Sequence, residues 1–209
     1  MTMADQLFVI YHVFQAPGWQ QLFAEQMGLL LTSGLFANAN VTVCVDGEEA
    51  LPTVDGATVV RVADFSERPS LMKAREIAQA FPSSSILYMH TKGISHPTRN
   101  QDDWRMMMQH FLIVQWKEAL RRLIDCDVVT VNWRTHPRPH CSGNFWWAKA
   151  SYLSSLDPAF MDDHDRFRQE FWIGSGTGVI NCLHESGIAH YDLPYPPSRY
   201  CADYYAPLE

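Results

Sequence analysis

The chain has 209 residues, 47% apolar and 19% charged, which suffices to bury one core and excludes an intrinsically disordered segment. Its net charge of −7, from 16 Lys and Arg against 23 Asp and Glu, speaks against general nucleic-acid binding. An anionic ligand would need a local basic site.

Leu7 to Phe14 is a continuous apolar run ending at Gln15-Ala16-Pro17-Gly18, which predicts a buried strand and a turn. Trp19 to Leu31 carries apolar residues at helical spacing, ended by Gly34. Val41 to Val45 and Thr58 to Val62 predict two further strands, the first closed by Asp46-Gly47. Ser70 to Phe81 predicts a helix with Ser70 as its N-cap and Pro82 beyond its end. Ser85 to Met89 predicts a strand that runs into His90-Thr91-Lys92-Gly93. One long helix is expected from Asn100 to Ile124, with Asp102 and Asp103 at its start and Arg121 and Arg122 near its end, as the helix dipole favours. Val128 to Val131 is a fifth strand, residues 149–156 and Asp165 to Ile173 are short helices, and Ile188 to Tyr191 is a last strand. From about residue 193 the chain is rich in Pro and Tyr and reads as irregular.

Strands and helices alternate through the first two-thirds, so the expected fold class is α/β, a mainly parallel sheet covered by helices on both faces. Residues 1–209 read as a single domain. Ligands of such sheets bind at the carboxyl ends of the strands. Phe14–Gly18, Asp46-Gly47 and His90–Gly93 all fall there. The opening MTMADQ predicts no signal peptide, and the uncharged window 26–45 is too polar for a bilayer span. The five cysteines form no CxxC pair and read as reduced thiols of a cytoplasmic protein.

At a strand end, Lys92 offers a point charge and Gly93 open backbone N–H groups, which suits a phosphate; a surface turn with a solvated Lys fits the spacing equally. There is no P-loop and no GxGxxG. In Ser142-Gly143-Asn144-Phe145-Trp146-Trp147 a double Trp adjoins small polar residues, an arrangement that stacks and hydrogen-bonds sugar rings. Strand alternation sends the two Trp to opposite faces, so at most one is expected to face a cleft. Glu170 lies three residues from Phe167 and from Ile173; an apolar stripe there would suit a general base, and a structural ion pair with Arg166 is the plainer reading. His136 and His140 are separated by two prolines that forbid helical metal ligation. Asp162-Asp163-His164-Asp165 reads as a loop and cap before it reads as a cation site. No HExxH or GxSxG occurs.

Taken together, Tyr11 to Trp19, Tyr88 to Gly93, Asp103-Trp104-Arg105, His140 to Ala148 and Glu170 to Ile173 resemble small GT-A-type glycosyltransferases of bacteria and large algal viruses. The resemblance runs from about Leu7 to Ile173, and SGNFWWA is its most specific string. It implies a Rossmann-like GT-A fold and a nucleoside-diphosphate sugar as donor, with a glycan hydroxyl as acceptor. By that resemblance Val13, Phe14, Gln15, Asp46, Lys73, His90, Thr91 and Lys92 bind the donor. Glu170 is the base and Asp163 its substitute. His140, Ser142, Gly143, Asn144 and Trp147 shape the sugar pocket. His90-Thr91-Lys92 stands where such enzymes carry the DxD metal motif. Either Lys92 offsets the diphosphate charge, or a divalent ion (Mn or Mg) binds through Asp46 or Asp162 and Asp163. An inverting transferase is the first expectation; a retaining transferase and a non-catalytic carbohydrate-binding module remain alternatives.

Overall fold

The computed structural model describes residues 6–62, 66–162 and 166–202. A seven-stranded sheet has the order β3-β2-β1-β4-β8-β5-β9, built from β1 (Leu7–Phe14), β2 (Asn40–Asp46), β3 (Ala57–Val62), β4 (Ser85–His90), β5 (Val128–Thr130), β8 (Trp146–Lys149) and β9 (Ile180–Cys182). β8 runs antiparallel to its neighbours β4 and β5, and the other strands share one direction. A small hairpin, β6 (Trp133–Arg134) with β7 (His140–Cys141), stands beside it. The fold is thus α/β with a mainly parallel sheet.

Helices cover both faces. On one lie α1 (Trp19–Thr32), α3 (Arg99–Gln109) and α4 (Trp116–Leu123), packed on Val9, Tyr11, Val13 and Trp147. On the other lie α2 (Arg68–Ala80), α5 (Ala150–Ser155) and α6 (Arg166–Trp172), packed on Phe8, Ile10, Tyr88 and Trp146. This double cover is why Phe8 to Tyr11 of β1 are all apolar: alternate side chains enter different cores, and neither set faces water. The same alternation separates Trp146 from Trp147, and both end at 0% exposure, so neither faces a cleft.

Several expected boundaries move. α2 begins at Arg68 with Pro69 in its first turn, and Glu67 takes the N-cap position given above to Ser70. Ser70 is instead buried, with its Oγ 2.8 Å from His12 Nδ1. The long helix is divided. A π-turn at His110–Val114 adds a residue to the helical repeat, and Gln115 (φ −96°, ψ 29°) leaves helical geometry before α4 starts. The last strand is Ile180–Cys182, not Ile188–Tyr191. The 188–191 segment forms turns, where Ala189 C=O accepts from the Asp192 and Leu193 N–H groups. Among the described residues no helix is long and apolar enough to cross a membrane.

One buried side chain ties α1 to the strand ends. Gln26, at 0% exposure, accepts from Tyr11 Oη–H (2.6 Å) and donates through Nε2–H to the His90 carbonyl (3.1 Å). Gln26→Leu leaves Tyr11 Oη–H buried and unpaired, while the His90 carbonyl keeps the Lys92 N–H, and is expected to cost about 1–3 kcal/mol. Urea unfolding checks this; a loss under ~1 kcal/mol would mean that water replaces the amide.

Candidate functional site

α1 leaves β1 across one face, while α2 returns the chain to β4 across the other. β1 and β4 are neighbours, so the sheet has its switch point between them. A cleft of roughly 550 Å³ opens there. His12 and Phe14 at the end of β1, and His90, Thr91 and Lys92 at the end of β4, form its floor. Its walls come from the start of α2 (Ser66, Glu67), the start of α3 (Thr98, Gln101) and one side of α6 (Phe167, Gln169, Glu170).

The two strand ends are stitched beyond the regular ladder. Thr91 N–H donates to the His12 carbonyl (3.1 Å), and Thr91 Oγ1 accepts from Phe14 N–H (3.0 Å). The chain then turns sharply: Lys92 N–H donates to the His90 carbonyl (2.8 Å), and Gly93 sits at φ +85°. A Cβ at Gly93 would lie 3.0 Å from Gln101 Cβ, so glycine is required on both counts. Arg105 Nη1–H donates to the Lys92 carbonyl (3.1 Å) from behind. Lys92 Nζ lies 4.2 Å from the ring centroid of Trp104, a cation–π contact with a buried indole.

Two carboxylates share the cleft with this cation. Glu170 Oε1 accepts from Gly143 N–H (2.7 Å), and the Gly143 carbonyl accepts from His90 Nε2–H (2.8 Å). Gly143 sits at φ +93°, where a side chain is strained, and a Cβ there would press on Met108 Sδ (2.6 Å) and Trp104 Cζ2 (3.1 Å). Glu67 Oε2 accepts from Tyr88 Oη–H (2.8 Å) and Asn144 Nδ2–H (2.7 Å), and Glu67 N–H donates to Gln169 Oε1 (3.0 Å). Both histidines of the floor are held neutral. Burial first, then the Lys92 charge, pushes His90 down to about 3, against the opposing Gly143 contact and Glu170. Burial takes His12 down to about 4, opposed by Glu67.

Of the residues singled out in the sequence, Phe14, His90, Thr91, Lys92 and Glu170 line the cleft. Gly143 and Asn144 stand directly behind it, holding Glu170, His90 and Glu67. The others are placed elsewhere. Val13 is in the core, and Asp46 is buried at the end of β2. Gln15 exchanges hydrogen bonds with the Glu49 backbone, and Lys73 pairs with Glu76 on α2. His140 Nδ1–H donates to the Arg138 carbonyl, and Ser142 N–H to that of Asn132. Trp147 Nε1–H is satisfied inside the core by the Leu112 carbonyl (2.9 Å), which keeps this ring away from the cleft. Asp163 lies outside the described residues. Glu67, His12 and Gln169 were missed. Pro69 was the available signal, since a proline in the first helical turn puts Glu67 at the cleft edge. Among the described residues no three His, Cys, Asp or Glu side chains are gathered to hold a metal ion, and Asp162 pairs with Arg68.

The fold and cleft define an open α/β protein with a ligand-sized crevice at the switch point of its sheet. The chain belongs to the family described as a domain of unknown function, DUF8361, whose model matches residues 39–162, more than half its length. No curated protein matches the sequence. Among solved structures, a provisionally assigned nucleotide-diphospho-sugar transferase from Desulfovibrio desulfuricans G20 aligns with a TM-score of 0.44 at 11% identity, over 87% of this chain and 81% of that one. HddC from Yersinia pseudotuberculosis aligns with a TM-score of 0.48 at 8% identity, over 88% of this chain and 91% of that one.

The buried histidines make stability pH-dependent. Each is neutral in the fold and titrates near 6.5 once unfolded, so between those values the unfolded chain binds more protons. Their contribution is complete above about pH 6.5 and is lost as pH falls toward 4 and then 3. The urea midpoint is expected to drop between about pH 7 and pH 4.5, and to drop less in His12→Asn. Equal pH profiles for the two proteins would show that His12 titrates alike in the folded and unfolded chain.

Proposed function

We propose that this chain is a glycosyltransferase that moves a sugar from a nucleoside-diphosphate sugar, uridine type first, to a hydroxyl of a glycan acceptor, with inversion. The observation that carries the proposal is the placing of Lys92 and Glu170 in one cleft at the switch point of the sheet. A diphosphate leaving group needs a positive charge, and an acceptor hydroxyl needs a proton acceptor. The resemblance of the His90–Gly93 and Ser142–Ala148 strings to GT-A enzymes supports the same reading.

Lys92 holds the diphosphate by charge and offsets the negative charge that builds on it as the glycosidic bond breaks. Thr98, the N-cap of α3, also lines the cleft, so the positive end of that helix's dipole lies at its edge and favours the anion further. Glu170 takes the proton of the acceptor hydroxyl as that oxygen attacks the anomeric carbon. Gly143 N–H orients the carboxylate through Oε1, leaving Oε2 for the proton. The described residues gather no donor set for a divalent ion, so no step is routed through one.

Calorimetric titration with UDP, GDP, dTDP and CMP, each with and without manganese, tests the donor site. Saturable binding of one nucleotide is expected, weakened at least ~10-fold by Lys92→Ala. With the matching sugar nucleotide, Glu170→Gln is expected to lower turnover by ~10²-fold or more while donor affinity is kept. Normal turnover in that variant would move the proton to another group. Absence of binding for every nucleotide would turn the assignment to a non-catalytic carbohydrate-binding module.

A further inference from the structure

His90 spends its only ring proton on the Gly143 carbonyl, which can only accept, so the neutral ring presents a bare lone pair at Nδ1. Facing it at 3.7 Å is Glu67 Oε1. The other carboxylate oxygen is already satisfied by Tyr88 and Asn144. Two acceptors therefore stand side by side at the cleft floor with no proton between them, and 3.7 Å is too long for a hydrogen bond of their own. Burial and the Lys92 charge keep His90 from relieving the pair by protonation. Both residues line the cleft, and the Glu67 side chain is 25% exposed.

What such a pair lacks is two donors at neighbouring positions. An anion would be repelled here by the Glu67 carboxylate. Two hydroxyls on adjacent carbons fit: one O–H donates to Glu67 Oε1 and the next to His90 Nδ1. We propose that Glu67 and His90 form a seat for a vicinal diol of the ligand, and that Glu67 is a specificity-determining residue of this cleft. Both the ribose of a nucleotide and the transferred sugar carry such a diol. The identity of the ligand rests on the transferase reading; the acceptor pair does not.

The test has a ligand arm and a ligand-free arm. With the nucleotide chosen by the titrations above, binding is compared with its 2′-deoxy analogue, and that of its hexosyl ester with single deoxyfluoro analogues. Fluorine keeps the size of a hydroxyl and cannot donate. One of the two substitutions is expected to weaken binding at least ~10-fold in the wild type and to make little difference in Glu67→Gln, whose amide puts a donor where the diol needs an acceptor. A loss at ribose places the seat under the nucleoside; a loss in the hexose places it under the sugar. Equal binding of all analogues to the wild type would overturn the proposal. The second arm is ¹⁵N NMR of His90 at pH 7. It should show Nε2 protonated, Nδ1 bare, and an Nδ1 shift on adding methyl riboside or methyl glucoside that the matching deoxyfluoro sugar reduces. A proton on Nδ1 at that pH, or no shift with either sugar, would overturn the seat even if no nucleotide binds, the result by which the transferase reading fails separately.

Discussion

The backbone of Gly143 is what the cleft depends on. Its N–H donates to Glu170 and its C=O accepts from His90, so the two peptide groups that meet at this residue join α6 to the end of β4. They reach both partners with residue 143 at φ +93°, a conformation that suits glycine, and with Met108 and Trp104 packed where a Cβ would stand. Three consequences follow from this constraint. The tautomer of His90 is set, one oxygen of Glu170 is oriented, and Asn144, next in the chain at φ 52°, is turned toward Glu67. Elements far apart in sequence thus meet at one backbone turn, which explains why the cleft is built from strand ends and helix starts and not from a long flexible loop.

The energetics of this arrangement are unfavourable locally and are offset by the surrounding cores. Burying His12 and His90 costs the freedom to bind protons, and buried polar groups need partners. Most receive them from neutral groups: Ser70 for His12, Gly143 for His90, Tyr88 and Asn144 for Glu67. The tryptophans that flank SGNF supply the compensation. Trp146 stacks on Tyr88 at a centroid distance of 5.2 Å and donates to Asn144 Oδ1, so the ring both fills the core and orients the amide that holds Glu67. A motif that reads as a sugar platform acts here from behind the site.

The strands β1, β2 and β4 were legible because they are covered on both faces and therefore appear as nearly continuous apolar runs. The turn at His90–Gly93 was legible because glycine after a strand end marks a positive φ. Glu170 was found through its string and Lys92 through its charge. What escaped depended on contacts between distant residues. Nothing near Glu67 in sequence announces a partner, since its carboxylate is held from Tyr88 and Asn144. The antiparallel β8 was hidden inside a motif read for chemistry, and β9 because three half-buried residues carry no periodic signal. The division of the long helix was invisible because a π-turn preserves helical composition while rotating the buried face by one residue.

The cleft keeps its opposite charges apart, and this bears most directly on what it can do. Glu67 and Glu170 are held by N–H and O–H groups without formal charge, and Lys92 by the face of Trp104. Among the described residues Lys92 makes no ion pair. A lysine paired to a carboxylate would have to break that pair before meeting an anion, at the cost of leaving a carboxylate uncompensated. An aromatic face has no such claim, because the cation–π contact persists while the ammonium donates its protons elsewhere. The positive charge at the rim and the acceptors on the floor are therefore both oriented before any ligand arrives, which is the condition for electrostatic stabilisation without reorganisation. A ligand with a negative end and a hydroxyl-bearing end meets both in only one orientation, and that orientation is set by neutral groups that the ligand does not displace.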